Sequence, residues 1–297
     1  MKTLYGVCPP VITIFGKNGK IDYEANKKHA DFLIEKGVDG LAYLGTSGEF
    51  SIMTLDEKMK FIREMSAYVG DRAQVIAGVG STSLKETLSL LKCAEQSGVD
   101  GCLLVNPYFS VYDEYMVEAY YDYVAKQTKL PIIIYNFPDL TGFNFSSALV
   151  RRLVQKNENI VGIKDTIGDS AHLIEMIKIK EIRPEFTVFC AYENQALGSL
   201  VNGVGGFINA TANFAPEFTV GLYQSFKSGD MEKASQYFNQ LCHAMDIYGF
   251  SKPLFLACKQ AVYERVIGYN GVERLPAVSL EEDTKKAIAD KLKELGL

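Results

Sequence analysis

Short apolar runs rich in β-branched residues alternate along the chain with longer segments whose apolar positions recur every three or four residues. The short runs cover 7–15, 37–45, 74–80, 98–107, 130–138, 160–166, 186–192 and 205–211. Most are apolar throughout rather than at every second position, which is how strands covered on both faces of a parallel sheet read. The segment 23–37 is of the helical kind, with Ala30, Phe32 and Leu33 on one face and Gly37 placed to end it. Three S/T-x-x-E stretches, at 54–57, 83–86 and 279–282, predict helix starts of the capping-box type. The run GVDGLAYLG at 37–45 returns as GVDGCLLVN at 98–106, as a barrel of repeated units requires. Eight strand–helix units before residue 212 therefore predict an α/β fold, a (β/α)8 TIM barrel, in preference to an open doubly wound sheet. After Pro216 the strand pattern stops and helical segments follow at 230–245, 254–268 and 279–295. The expected division is a barrel catalytic domain over 1–225 and a C-terminal helical extension over 226–297.

Composition narrows the function. A chain of 297 residues, 47% hydrophobic and with a net charge of -5, has ample material for a core but no basic field for phosphate backbones or anionic lipid. Neither nucleic acid nor a membrane surface is an expected partner. Six cysteines are scattered without a C-x-x-C pair, and Cys8, Cys102 and Cys190 fall in apolar runs, so buried reduced thiols are expected. The first residues show no apolar stretch of leader type, Pro9–Pro10 interrupting the one candidate, and no run is long enough to span a bilayer, which points to the cytoplasm. The three histidines, His29, His172 and His243, are not spaced as ligands, and no metal site is expected.

In a barrel of this kind catalytic side chains project from the C-terminal ends of the strands. The informative one is Lys164, at the end of the apolar run Asn-Ile-Val-Gly-Ile-Lys-Asp-Thr. One reading makes it a permanently charged partner of a strand-end carboxylate. The other makes it a nucleophile: desolvation lowers a lysine pKa, and a neutral amine attacks a ketone to form an imine that withdraws electrons from the neighbouring carbon. The run Gly45-Thr46-Ser47-Gly48-Glu49 after the second strand is a turn whose glycines would supply positive φ and whose amides could hold a carboxylate. Tyr135, ending the run Pro-Ile-Ile-Ile-Tyr, directs a phenol at the barrel mouth, where it either packs or passes protons to Thr46 or Ser47.

Taken together, G-T-S-G-E, N-P-Y at 106–108, Y-N-F-P-D-L-T-G from 135 and G-I-K-D-T from 162 resemble the dihydrodipicolinate synthase/N-acetylneuraminate lyase family of class I aldolases, over essentially the whole chain. The resemblance implies that Lys164 forms an imine with pyruvate and that Tyr135 is the acid/base tyrosine. Thr46 and Ser47 would hold the pyruvate carboxylate and relay protons, Thr46 being counted with the catalytic residues, and the Ile208 carbonyl would face the site. It also implies a homotetramer, a dimer of dimers, that needs neither metal nor cofactor. Many relatives carry a tyrosine, contributed across the dimer to a proton relay, where this chain has Phe109, so the three-part relay is in doubt; Tyr108 and Tyr112 are near enough to substitute.

Within the family, Y-N-F-P-D-L-T-G and I-N-A-T-A-N-F-A-P look most like the 2-keto-3-deoxygluconate aldolase branch, with an uncharged aldehyde such as glyceraldehyde as the second partner. Thr166, Glu193 and Asn209 are then the candidate hydroxyl binders. Sialate lyases usually present an Asp-Glu pair where this chain has Glu193-Asn194, and a serine at Ala210, so that branch ranks second. Leu140 stands where synthases carry a carboxylate-binding arginine, which argues against aspartate semialdehyde as substrate. A dehydratase using the same imine, and a barrel that only binds a keto acid, are the remaining alternatives.

Overall fold

The computed structural model describes residues 3–297; the first two residues of the stretch read for a leader lie outside it. Eight parallel strands form one sheet: β1 (Gly6–Val7), β2 (Gly40–Tyr43), β3 (Gln74–Gly78), β4 (Gly101–Val105), β5 (Ile132–Asn136), β6 (Ile160–Asp165), β7 (Thr187–Cys190) and β8 (Gly206–Phe207). Their order, β1-β8-β7-β6-β5-β4-β3-β2, leaves one seam, between β1 and β2. That seam is closed by single bonds: the amides of Asp39 and Ala42 donate to the carbonyls of Val7 and Pro9 at 2.9 and 3.0 Å, and Val11 donates to Ala42 at 2.9 Å. The fold is a (β/α)8 TIM barrel.

The strand expected over 7–15 shrinks to Gly6–Val7 and a bridge at Pro10. Pro9 and Pro10 have no N–H to give a ladder, and beyond them Thr13 crosses the barrel mouth to donate to the Gly48 carbonyl at 2.7 Å. The β1–β8 contact is so close that a Cβ on Gly206 would stand 2.0 Å from the Gly6 carbonyl oxygen, so only glycine fits there.

Two of the three expected capping boxes are absent. Thr54 and Glu57 form one. Ser83 caps without its side chain, because Glu86 instead accepts from Ser81 at 2.9 Å, and the last helix starts at Glu282 rather than at Ser279. Residue 225 lies inside the helix Pro216–Ser228, which packs on the next helix, Met231–Ala244. The six cysteines are all free thiols. No helix among the described residues is long and apolar enough to cross a membrane.

Candidate active site

The phase of β6 decides where Lys164 points. Ile132 pairs with Ile160, but Ile133 pairs with Gly162, so Val161 is an extra residue, a bulge. Beyond it Lys164 lies beside Tyr135 on one side and Phe189 on the other. Tyr135 and Phe189 belong to the barrel interior, with Ile76, Leu103 and Ile133. Successive residues of a strand face opposite ways, so Asp165 turns outward, where its carboxylate accepts from Asn136 at 2.8 Å and from His172 Nδ1 at 2.9 Å. The Lys164 ammonium sits 4.1 Å from the Tyr135 ring centroid, and the residue as a whole is 4% exposed. No carboxylate pairs with it among the described residues, which removes the ion-pair reading.

Tyr135 reaches up from the same level to share a hydrogen bond of 3.0 Å with Thr46 Oγ1. Thr46 stands in a turn whose left-handed residues are Leu44 and Glu49, at φ 57° and 56°, and not the glycines expected to supply them. The glycine demand falls on the neighbouring strand instead: a Cβ on Gly78 would meet the Leu44 carbonyl oxygen at 2.1 Å. Inside the turn Gly48 and Glu49 donate to the carbonyls of Gly45 and Thr46, each at 3.0 Å. The amides of Thr46 and Ser47 take no partner among the described residues, and Ser47 is buried. Two adjacent free amides make a cradle for an anion.

A cavity of about 480 Å³ opens above this group. Thr46 and Tyr135 lie on its wall, together with Phe50, Ile52, Tyr108, Phe137 and Leu140 from the barrel loops and Pro253, Phe255, Arg274 and Pro276 from the C-terminal extension. Lys164, Ser47, Thr166, Glu193, Ile208 and Asn209 are not on that wall. Lys164 lies one side chain deeper, against Tyr135. Thr166 Oγ1 and both polar atoms of the Asn209 amide are buried with no partner, a demand that a bound hydroxyl or water would meet. Ile208 packs into the barrel interior, its amide donating to the Cys190 carbonyl at 3.1 Å. Glu193 is turned to structural work: its Oε1 accepts from the Thr211 amide at 3.1 Å, the Thr211 hydroxyl at 2.9 Å and the Tyr248 hydroxyl. Burial raises its pKa, and those three donors pull it back.

The extension does more than cover the barrel. Lys259, 0% exposed, donates to Glu49 Oε1 and Glu273 Oε2, both at 2.7 Å, with its ammonium 4.8 Å from the Phe15 ring centroid. Burial raises the Glu49 carboxyl despite the Lys259 charge. Arg274 grips Glu57 through both terminal nitrogens, at 3.0 and 2.7 Å, and stacks over Phe15 at 4.1 Å. None of this was anticipated, although Lys259 stands in the apolar run Leu-Phe-Leu-Ala-Cys-Lys-Gln-Ala-Val, the same signal that singled out Lys164. Of the residues proposed to replace the missing relay hydroxyl, Tyr108 lines the cavity, while Tyr112 is on the surface. Phe109 is 97% exposed at φ 76°.

Comparison with known proteins agrees with this geometry. The chain is 42% identical over 263 residues to YjhH of Escherichia coli strain K12, named as a probable 2-dehydro-3-deoxy-D-pentonate aldolase, covering 88% of this chain and 87% of that protein. It is 37% identical to YagE of the same organism, named as a candidate 2-dehydro-3-deoxy-D-gluconate aldolase, covering 98% of this chain and 97% of that one. The crystal structure of YagE in complex with pyruvate superposes with a TM-score of 0.95 over 99% of both chains. A 4-hydroxy-tetrahydrodipicolinate synthase of Thermosipho africanus is 30% identical, covering 98% of this chain and 99% of that protein. Residues 3–295 match the model of the dihydrodipicolinate synthetase family. The chain is an enzyme of that family, a lyase of the aldolase type on a (β/α)8 barrel.

Proposed function

We propose that this chain is a Schiff-base aldolase that reversibly cleaves a 2-keto-3-deoxy sugar acid to pyruvate and a short aldehyde. The observation that carries the reading is the constellation of a buried, unpaired Lys164, a Tyr135 ring 4.1 Å from its ammonium, and Thr46 hydrogen-bonded to that tyrosine at 3.0 Å. Pyruvate lays its carboxylate on the Thr46 and Ser47 amides and its carbonyl carbon within reach of the lysine. The imine carries the electron pair released when the bond between C3 and C4 breaks, which is the service a metal would otherwise give, so the reaction needs no metal and no cofactor. Tyr135 takes the proton of the C4 hydroxyl as the aldehyde leaves, with Thr46 as its relay partner.

The names of YjhH and YagE both point to 2-dehydro-3-deoxy sugar acids. Thr166 and Asn209, buried with unmet polar atoms, are the proposed binders of the substrate hydroxyls. Glu193 gives Oε1 to Thr211 and Tyr248, which leaves its Oε2 as a further proposed acceptor for a substrate hydroxyl. Leu140 on the cavity wall gives a second carboxylate no partner, which speaks against aspartate semialdehyde. The exposed Phe109, Val111, Tyr115 and Met116 are apolar surface that a second copy would cover within the proposed homotetramer, a dimer of dimers. The test is to supply 2-keto-3-deoxypentonate and 2-keto-3-deoxygluconate and follow pyruvate release. Pyruvate and aldehyde should appear in equal amounts, in EDTA as in its absence. A dehydrated keto acid without pyruvate would replace the aldolase by a dehydratase.

A further inference from the structure

We infer that the outer part of the cavity is a site for an aldehyde with an apolar body, and that the chain adds pyruvate to aromatic and branched aliphatic aldehydes. The inference rests on the Schiff-base reading and extends its substrate range. The walls above the Thr46–Tyr135 pair are Phe50, Ile52, Phe137, Leu140, Pro253 and Phe255. Polar groups are the minority of that wall: among the described residues Ser51 and Tyr108 keep free hydroxyls, and others are largely engaged. Thr141 donates to the Phe137 carbonyl at 3.0 Å. Glu49, also on the wall, gives Oε1 to Lys259 and keeps a buried, unpartnered Oε2 as one of the few open acceptors there. Arg274 turns its guanidinium to Glu57 through one N–H of each terminal nitrogen and donates from Nε to the Gly19 carbonyl at 2.8 Å.

Apolar side chains thus predominate outward from Tyr135 and Thr46, where the aldehyde oxygen belongs. A polyhydroxy chain continuing outward would lose water and gain few partners, at a cost of about tenfold in binding per unmet hydroxyl. A ring or branched chain gains by the same burial. The inner polar end serves a two- or three-carbon aldehyde, and the outer volume, within the about 480 Å³ available, accommodates an aromatic ring.

The step balances without an oxidant or reductant. The lysine imine of pyruvate loses a proton from its methyl group to become the enamine. The enamine carbon attacks the aldehyde carbon, the carbonyl π pair moves to oxygen, and that oxygen takes the Tyr135 proton. Water then hydrolyses the iminium, releasing a 4-hydroxy-2-oxo acid and free Lys164, while the methyl proton restores the tyrosine.

The experiment compares kcat/KM for benzaldehyde, isobutyraldehyde and glyceraldehyde, each with saturating pyruvate, in the wild type and in Leu140→Gln and Ile52→Thr. Leu140 is 56% exposed, so its replacement does not threaten the fold. Benzaldehyde should match or exceed glyceraldehyde in the wild type, and each variant should shift the ratio towards glyceraldehyde by about tenfold. Pyruvate-dependent borohydride trapping on Lys164 is measured in parallel. Intact trapping with benzaldehyde turnover below about one-hundredth of that for glyceraldehyde overturns this inference alone. Loss of trapping overturns the imine reading, and this inference with it.

Discussion

Replacing Lys259 by methionine should cost this protein more stability than almost any other single change in the extension. The side chain is fully buried between Glu49 and Glu273, whose side chains are 1% and 7% exposed. Methionine keeps the stem but leaves two carboxylates facing each other without their cation. Breaking a buried pair by removing one partner costs about 3–5 kcal/mol, most of it the penalty of the charge left behind. For a chain of 297 residues that is about 5–8 °C in Tm. The chain has no tryptophan, so far-UV circular dichroism is the suitable probe of thermal unfolding. With its cation gone the buried Glu49 carboxyl is raised further, so the folded form binds more protons than the unfolded one. The variant's deficit must therefore shrink as the pH falls towards about 4.3, the ordinary glutamate value, and widen above it. Adding Glu49→Gln and Glu273→Gln to the variant removes the unpaired charges and should recover more than half of the loss. A single-variant loss under about 1 kcal/mol, or a triple variant no better than the single one, would refute the claim that charge pairing holds this wall.

Three further outcomes follow from the same geometry. His29 donates from Nε2 to the Asn213 carbonyl at 2.8 Å, and burial pushes its pKa from the usual 6.5 down to about 4. Its folded pKa is depressed, so its contribution of about 3 kcal/mol is complete above pH 6.5 and lost as the pH falls to 4; His29→Gln should flatten that slope, and parallel pH profiles would contradict it. Tyr135→Phe should retain pyruvate trapping while slowing turnover about 100-fold, the range for losing an acid/base group, and an unchanged kcat would demote the phenol to packing. The wild type should prefer glyceraldehyde to aspartate semialdehyde, and Leu140→Arg should narrow the ratio. Because Leu140 is 56% exposed, the second carboxylate keeps part of its water, and the expected preference is about tenfold; equal kcat/KM values would count against Leu140 as a determinant.

The strands were legible because both faces of a parallel sheet are covered, so each reads as an unbroken apolar run, and a lysine inside one stands out. Lys164, Tyr135 and Thr46 converge as the strand-end rule implies. What escaped was set by backbone geometry and by distant contacts. The Val161 bulge, which turns Lys164 inward and Asp165 outward, leaves no mark in a run that is apolar on both sides of it. Pro9 and Pro10 sit in an apolar run that reads as a strand, yet only the Pro9 carbonyl accepts across the seam, that of Pro10 accepting from Asn213. The left-handed Leu44 and Glu49 carry none of the residue types that announce positive φ, because the strain there is imposed by the packed turn and not by local preference. Ser83 and Ser279 match a capping pattern whose partners went elsewhere. The ion triad joins Glu49 to Lys259 across 210 positions, a pairing no local pattern reveals.

The central claim, that Lys164 is the imine-forming residue, is tested most directly by incubating the protein with pyruvate, reducing with borohydride and mapping the peptides by mass. The buried, unpaired ammonium beside Tyr135 predicts a stable adduct on Lys164 alone, absent without pyruvate and absent in Lys164→Arg, which should also lose turnover. An adduct on a different lysine, or full activity in Lys164→Arg, would contradict the account.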